Sequence, residues 1–211
     1  MFREVKKEET FPQIEERVLA LWDKDESFKK SLDSRPETEP YTFYDGPPFA
    51  TGLPHYGHLL AGTIKDIVPR YWTMKGKKVP RGFGWDCHGL PIEAKVVKEH
   101  QGLEPAEIRR RCTEFALGYL DQQRQSFRRL GVFGDWFNPY VTMYPKYEAG
   151  ILRVFAKLVE SGAVYQSMKP VQWSYAHHTA LAEAEVEYME DTSTAIYVGF
   201  KMDGAVKGVE D

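Results

Sequence analysis

The chain has 211 residues, of which 42% are hydrophobic and 14% aromatic, enough apolar material for a globular domain with a packed core. Its 28 basic and 31 acidic residues give a net charge of −3, which excludes nucleic-acid binding driven by bulk positive charge. No run is long and apolar enough to cross a membrane, and two distant cysteines do not make a disulfide framework. With a charged start and no secretory leader, the sequence predicts a cytoplasmic protein.

The first predicted element is an amphipathic helix. Thr10 and Gln13 have the spacing of a capping box, and apolar residues recur at helical spacing until about Asp25. Residues 31–40 are rich in Pro, Ser, Glu and Asp and predict a loop. We therefore expect residues 1–40 to form an N-terminal helix and linker.

The stretch 41–58 carries the most informative pattern. Its first four residues are aromatic and β-branched and predict a buried strand, and a loop rich in Gly and Pro follows at 46–54. Apolar residues at helical spacing begin after His55 and predict a helix that ends at Gly76. Strand, glycine-rich loop and helix N-terminus together are typical of nucleotide sites in α/β sheets, because free backbone N–H groups and the helix dipole favour phosphate.

Two histidines lie in the first turn of this predicted helix. His55 and His58 are three positions apart, so they share one face. Beside a phosphate, their imidazole N–H groups could donate to oxygens that gain charge in a transition state. Gly57 between them would let a flat ring such as adenine approach the backbone. A bare His-x-Gly-His is more often a pair of ordinary polar residues at a helix start, so the flanking sequence has to decide.

The flanking motifs resemble those of the class I aminoacyl-tRNA synthetases, which activate amino acids with ATP. The family signature His-Ile-Gly-His corresponds to residues 55–58, with Tyr56 at its variable second position. Asp-Gly-Pro-Pro at 45–48 and Gly-Trp-Asp-Cys-His-Gly-Leu-Pro-Ile-Glu at 84–93 are similar to the isoleucine-specific members, and residues 179–188 resemble them again. The leucine- and valine-specific members are less similar, but they are the alternatives within the family.

The resemblance implies an ATP site around the histidines. His55 and His58 would be the catalytic residues, and Pro48 and Gly57 would bind ATP together with them. Mg²⁺ would accompany ATP on its phosphates. The implied partners of the complete enzyme are ATP, isoleucine and tRNA(Ile), with no membrane and a monomeric full-length protein.

The resemblance also implies a pocket for isoleucine. Asp86 would pair with the α-ammonium group, with the Gly46 carbonyl as a second acceptor, and Pro47 would form a wall. Trp85 is assigned to the same pocket, either as its wall or as part of the core. From the sequence alone, Asp86 could equally be a helix N-cap or a carboxylate that braces a loop.

The predicted fold class is α/β. It is the N-terminal half of a Rossmann-like nucleotide-binding parallel sheet with helices on its faces and a helical connective insert. Residues 78–85 predict the second parallel strand, which completes a right-handed βαβ unit. Residues 41–103 would form the first half of the Rossmann-like catalytic domain.

The second half of the chain is predicted to be mainly helical at first. Apolar periodicity indicates helices at 104–131 and 146–160, joined by a loop at 134–145. The second helix should face inward with Ile151, Leu152, Phe155, Leu158 and Val159. Residues 104–190 are assigned to a helical connective segment and the return to the sheet.

The last predicted element is a strand at 194–201, and residues 191–211 would be the truncated start of an editing-domain insertion. Many family members bind zinc with Cys pairs after the segment 169–173. Here His177 and His178 stand in a stretch without Cys-x-x-Cys, so neither zinc nor another metal site is predicted.

The family's second signature, Lys-Met-Ser-Lys-Ser, does not occur in the sequence. Its lysines would stabilise charge on the leaving pyrophosphate, so the chain alone is expected to be catalytically incomplete. The alternative is a non-catalytic nucleotide- or tRNA-binding module, or a subunit of a split synthetase. Basic residues at 65–81 and 109–129 could contact tRNA or form solvated helix faces.

Overall fold

A computed structural model of the chain describes residues 9–38, 40–201 and 204. The chain divides into two compact units, Met1–Tyr165 and Gln166–Asp211. The regular elements of the first unit are α1 (Phe11–Lys24), α2 (Ser27–Asp33), α3 (Tyr56–Met74), β1 (Gly82–Trp85), α4 (Leu90–Glu99), α5 (Pro105–Arg129), β2 (Asp135–Val141) and α6 (Pro145–Glu160).

The N-terminal helix α1 forms where it was predicted. The Gln13 side-chain oxygen accepts from the Thr10 backbone N–H at 2.8 Å, which satisfies a donor that the first turn leaves free. The helix α2 was not predicted, and it takes the first residues of the expected loop 31–40. Its Phe28 packs edge-on against Phe133 with ring centroids 5.5 Å apart, so a distant contact stabilises a helix that the local sequence does not mark.

The predicted buried strand at 41–44 is not a regular strand. The segment runs parallel to residues 78–86 and joins them near its ends, where Tyr41 N–H donates to Lys78 O at 2.8 Å and Ala50 N–H donates to Asp86 O at 3.0 Å. Between these bridges the Asp45 carboxylate, rather than a backbone carbonyl, accepts from Gly84 N–H at 3.2 Å. A side chain therefore interrupts the ladder.

The strand β1 is shorter than the predicted 78–85, and its partner is an element predicted as a loop. Residues 134–145 contain β2, which pairs with β1 in parallel. The register shifts between Gly82, opposite Asp135, and Gly84, opposite Tyr140. The irregularity contains Pro139, which has no N–H for a ladder and makes the sequence look like a turn.

Helices connect the parallel segments and end where glycines were expected. The helix α3 joins the 40–50 segment to β1, and α4 and α5 join β1 to β2. The helix α4 was missed, although Pro91 lies in its first turn. Gly76 directly follows the C-cap of α3 with φ +88°, and the Lys77 N–H reaches back to Trp72 O at 3.0 Å, which closes the helix end.

The core of the first unit is aromatic. Phe83 stacks on Trp136 with ring centroids 3.9 Å apart, and Trp85 and Phe127 surround the pair. The other buried apolar residues of this cluster are Ala50, Cys87, Ile92, Ala116, Leu120, Val132 and Val141. The core thus lies between α5 and the parallel strands, beside the start of α3.

Two helix faces in the described part of the chain are apolar and exposed. The prediction that α6 turns its apolar residues inward is wrong here, since the five predicted side chains are 46–67% exposed. The stripe that marked α3 is exposed in the same way: Leu60, Ile64, Ile67, Val68 and Tyr71. Periodicity reports an apolar face correctly, but it does not say whether a partner covers that face.

The second unit contains a short antiparallel hairpin, β3 (Trp173–Ser174) and β4 (Thr179–Ala180), and a 3₁₀ turn at Glu183–Glu185. The strand predicted at 194–201 is not formed; these residues have no regular structure. Of the predicted insertion start at 191–211, residues 202–203 and 205–211 lie outside the described residues. No helix among the described residues is long and apolar enough to span a membrane.

Candidate functional site

A cavity of about 180 Å³ opens at the N-terminus of α3. The loop before α3, the first turns of α3, β1 and the aromatic core all contribute to its wall. Its lining includes Gly46, Pro48, His55, Gly57, His58 and Trp85, six of the residues singled out from the sequence. Pro47 and Asp86 do not line this cavity.

The two histidines form one structural unit. His55 is the N-cap of α3, and its Nδ1 accepts from Gly57 N–H at 3.1 Å. The Nδ1 of His58 accepts from the backbone N–H of His55 at 3.2 Å, and the two rings lie 4.0 Å apart. Because Nδ1 is the acceptor in both rings, the neutral imidazoles carry their proton on Nε2. Each ring therefore has an Nε2–H donor that the rest of the described chain leaves unused.

The protonation state of His58 follows from its surroundings. Burial, and then the neighbouring His55 and Lys65 side chains, lower the pKa of His58 below its ordinary value of 6.5. His58 is therefore neutral near pH 7. It acts there as a hydrogen-bond donor and not as a fixed positive charge.

Gly57 is required by the histidine pair itself. A Cβ atom at this position would lie 2.9 Å from His55 Cε1, closer than real Cβ atoms come, and 3.1 Å from His55 Nδ1, which is a tight contact, so the ring would have to shift. The sequence suggested that this glycine makes room for adenine. The structure shows a reason within the chain: any side chain at position 57 displaces the ring that caps α3.

We expect Gly57→Ala to leave the stability of the chain nearly unchanged while His55 loses its capping bond. Alanine favours a helix over glycine by about 1 kcal/mol, and a lost N-cap costs a similar amount. Gly62→Ala in the same helix is the matched control, because its Cβ would meet only Val132 at 3.9 Å. It should raise the free energy of unfolding by up to about 1 kcal/mol. Urea unfolding of both variants measures the difference, and an equal gain in the two would contradict the clash.

Lys65 contacts two acceptors beside the histidines, the Asp45 carboxylate and the Gly46 carbonyl. Lys65 Nζ lies 2.7 Å from Asp45 Oδ1 and donates to the Gly46 carbonyl at 2.5 Å. Asp45 is only 3% exposed, so its charge is balanced by Lys65 inside the wall of the cavity. The Gly46 carbonyl, expected to accept from a substrate ammonium group, already accepts from an ammonium group of the chain. The sequence marked Lys65 only as one basic residue among several.

Asp86 lies at the carboxyl end of β1, as predicted. Its backbone N–H donates to Pro48 O at 2.9 Å, and its Oδ1 accepts from His88 N–H at 3.3 Å and from the Thr142 hydroxyl at 3.4 Å. Among the described residues no cationic side chain pairs with this carboxylate. Asp86 therefore braces its loop and also carries a charge that the described chain does not balance.

Trp85 and Cys87, on either side of Asp86, are buried. Trp85 is 1% exposed, and its indole Nε1 donates to Gln123 Oε1 at 3.0 Å. Burial raises the pKa of the Cys87 thiol to about 12, so this cysteine is not a nucleophile at neutral pH. Gln123 was missed in the sequence. The available signal was a polar residue at a position where the apolar stripe of α5 continues through Leu120 and Phe127.

Most arginines that could have contacted tRNA are paired with carboxylates. Arg128 lies 2.9 Å from Asp23, and Arg129 lies 2.9 Å from Glu15, so both connect α5 to α1. Arg110, Arg111 and Arg124 form similar pairs along α5. These contacts favour the interpretation that the charges form solvated helix faces.

A loop and a helix N-terminus beside parallel strands, with two Nε2–H donors at a cavity, form the arrangement at which α/β proteins commonly hold nucleotides. The family described as tRNA synthetases class I (I, L, M and V) matches residues 17–198. The chain belongs to this family, and its α/β architecture with a parallel two-stranded sheet is the class I, Rossmann-like fold.

Similar proteins point to one branch of this family. The chain is 46% identical over 194 residues to the isoleucine–tRNA ligase of Caldicellulosiruptor bescii, and 50% identical over 192 residues to that of Fervidobacterium pennivorans. These matches cover 90% and 89% of the chain, and the chain spans 21% of the length of each relative. A solved LeuRS of Agrobacterium radiobacter K84, in ternary complex with tRNA and LeuAMS, superposes with a TM-score of 0.64 at 25% identity. This match covers 81% of the present chain and 21% of the LeuRS chain.

Proposed function

We propose that this chain carries the part of an isoleucine–tRNA ligase that binds ATP and isoleucine for adenylate formation. The observation that carries the proposal is the histidine pair, whose two Nε2–H donors have no partner among the described residues and lie beside the cavity at the start of α3. The similarity to ligases named for isoleucine supports the choice of amino acid. The complete reaction would join the activated isoleucine to tRNA(Ile).

In the proposed reaction an isoleucine carboxylate oxygen attacks the α-phosphorus of ATP. A new O–P bond forms, the bond to the β-phosphate oxygen breaks, and pyrophosphate leaves with that electron pair. His55 and His58 would donate from Nε2 to the α-phosphate oxygens as their charge rises. The N-terminal N–H groups and the dipole of α3 favour the same negative charge. Pro48 and Gly57 would contact the nucleotide from the loop and the first turn.

The amino acid would lie on the side of Asp86. This carboxylate has no cationic partner among the described residues and could pair with the α-ammonium group. Pro47 and Trp85 would wall the pocket. The Gly46 carbonyl accepts one hydrogen bond from Lys65 and has a second lone pair, so it could also accept from the ammonium group.

Magnesium enters this proposal only with ATP, whose phosphates carry it. In the part of the chain that the structure describes, no group of three or more His, Cys, Asp or Glu side chains could hold a metal ion alone. In this proposal the residues of the chain would meet the ion through the phosphates of the nucleotide. No zinc site is assigned to His177 or His178.

The domain assignment is part of the same proposal. Residues 41–103 would be the N-terminal half of the Rossmann-like catalytic domain, and 104–190 the connective segment that returns to the sheet. Residues 1–40 would be an N-terminal helix and linker, and 191–211 would begin the editing insertion.

Binding of adenylate analogues to this chain tests the proposal. We expect an isoleucyl-adenylate analogue with a sulfamoyl group in place of the phosphate to bind at least about tenfold more tightly than the valyl analogue, which lacks one methylene group. Calorimetric titration measures the affinities. Equal affinity for the isoleucyl, valyl and leucyl analogues would remove the amino-acid pocket from the proposal. An Asp86→Asn chain that binds the isoleucyl analogue as tightly as the parent would contradict the role proposed for Asp86.

A further inference from the structure

Gln123 is a fully buried polar residue in the middle of α5. Its exposed fraction is 0%, and it continues the buried stripe formed by Ala116, Leu120 and Phe127. Placing a carboxamide in an apolar core is unfavourable unless its donors and acceptor find partners. Its partners therefore show what this residue does.

The Gln123 carboxamide makes three hydrogen bonds to two separate parts of the chain. Its Oε1 accepts from Trp85 Nε1 at 3.0 Å, and its Nε2 donates to the carbonyls of Phe49 at 3.0 Å and Gly52 at 2.7 Å. An indole N–H can only donate and a carbonyl can only accept, so these partners fix the orientation of the amide. Both of its N–H groups are used.

Those bonds determine the shape of the loop that leads to His55. On one side of the loop, backbone hydrogen bonds tie Pro48 and Ala50 to Asp86. On the other side, the hydrogen bonds to the Phe49 and Gly52 carbonyls both come from the Gln123 side chain. The Lys95 ammonium group also donates to the Thr51 carbonyl of this loop. A loop rich in Gly and Pro has no ladder of its own, so these contacts together fix its conformation.

We propose that Gln123 is a positioning residue for ATP. From α5 it fixes the loop between Pro48 and His55, and it aligns Trp85 at the same cavity, without itself touching the substrate. The inference rests on the proposed function, which assigns Pro48 and His55 to ATP. It adds a residue whose effect reaches the nucleotide through the Phe49 and Gly52 carbonyls.

Two substitutions separate the two sets of contacts. Gln123→Met fills a similar volume and removes all three bonds. Gln123→Glu keeps an acceptor for Trp85, but as a carboxylate it cannot donate to the loop. Gln122→Met is the matched control, because the neighbouring Gln122 is exposed and, among the described residues, its side chain bonds only to the Gly118 carbonyl of its own helix.

The first readout is steady-state kinetics. It is measured in a ligase that contains this chain and has the full length of its relatives. Loss of two loop bonds should raise the KM for ATP about tenfold in both Gln123 variants. The KM for isoleucine and kcat should change by less than about threefold, which corresponds to less than one such bond. Gln122→Met should match the parent. An unchanged KM for ATP in both Gln123 variants overturns the proposal, because a purely structural role would lower stability only.

Magnetic resonance of the 211-residue chain gives a readout that does not depend on catalysis. The Trp85 indole N–H signal should shift in Gln123→Met and stay near its position in Gln123→Glu, and the Ala50 amide should exchange faster in both. Faster Ala50 exchange without an effect on the KM for ATP would refute the positioning role and leave the proposed function intact. A parent ligase without isoleucine-dependent exchange would instead refute the proposed function.

Discussion

Replacing His58 by alanine in a ligase that contains this chain is expected to lower the rate of isoleucine activation about 100- to 1,000-fold. This is the usual loss when one preorganised donor to a developing oxyanion is removed. The ring stands beside His55 with its Nδ1 occupied by the His55 backbone N–H. Its Nε2–H is therefore directed by the fold before any substrate binds. ATP–pyrophosphate exchange measures the rate.

The fold should survive this change. Position 58 is the third residue of α3, and alanine is a good helix former. The control is His100→Ala, at the C-cap of α4 and outside the lining of the cavity. It should retain activity within about twofold, as expected of a position that makes no contact with the transition state. If His58→Ala catalysed ATP–pyrophosphate exchange at the parental rate, the catalytic role proposed for His58 would be wrong.

The second large effect concerns stability. Trp136→Ala is expected to lower the free energy of unfolding by about 3–5 kcal/mol, because it empties a buried site for a large aromatic ring. The ring stacks on Phe83 at 3.9 Å, and its Nε1 donates to the Val132 carbonyl at 2.9 Å. A domain of this size has only about 5–15 kcal/mol of stability, so the variant should lose a large fraction of it and unfold at a clearly lower denaturant concentration.

The neighbouring Phe137 is the matched control. It belongs to the same strand but is 68% exposed, with Arg128 placed 4.9 Å above its ring. Phe137→Ala should cost about 0.5–1 kcal/mol, the value of an exposed cation–π contact. Denaturant unfolding followed by circular dichroism measures both variants. Similar losses for the two substitutions would mean that the aromatic core described above does not carry the stability.

The elements that sequence reasoning located correctly are those with local signals. A capping box marked α1, and glycines marked the ends of α3, α5 and α6. The histidine pair was found because its spacing and its context agree within a few residues. Cap bonds and left-handed glycines act over one helical turn, so the sequence carries them without knowledge of the fold.

The elements that were missed depend on distant contacts. The strand β2 contains Pro139, a residue typical of turns, so the segment 134–145 was predicted as a loop. Its pairing with the distant β1 makes part of it a strand. The expected strand at 41–44 is interrupted because Asp45 accepts a hydrogen bond from β1. The apolar face of α6 is real, but the periodicity cannot tell whether a partner covers it.

The same limit applies to the site. The resemblance placed Asp86, Trp85 and the histidines, and the structure puts Trp85 and the histidines around one cavity. The resemblance could not show that Lys65 already donates to the Gly46 carbonyl, or that Gln123 holds the loop. Both are contacts between segments far apart in sequence, for which residue type and spacing give no direct signal.

We propose that the histidine site of this chain takes part in the activation of isoleucine by a longer ligase. Isoleucine-dependent ATP–pyrophosphate exchange tests it most directly, measured for the 211-residue chain and for a ligase of the relatives' length that contains it, with valine and leucine as controls. We predict exchange with isoleucine in the longer protein and none in the 211-residue chain, whose sequence lacks the Lys-Met-Ser-Lys-Ser signature. Absence of exchange in the longer protein, or equal exchange with valine or leucine, would contradict the account.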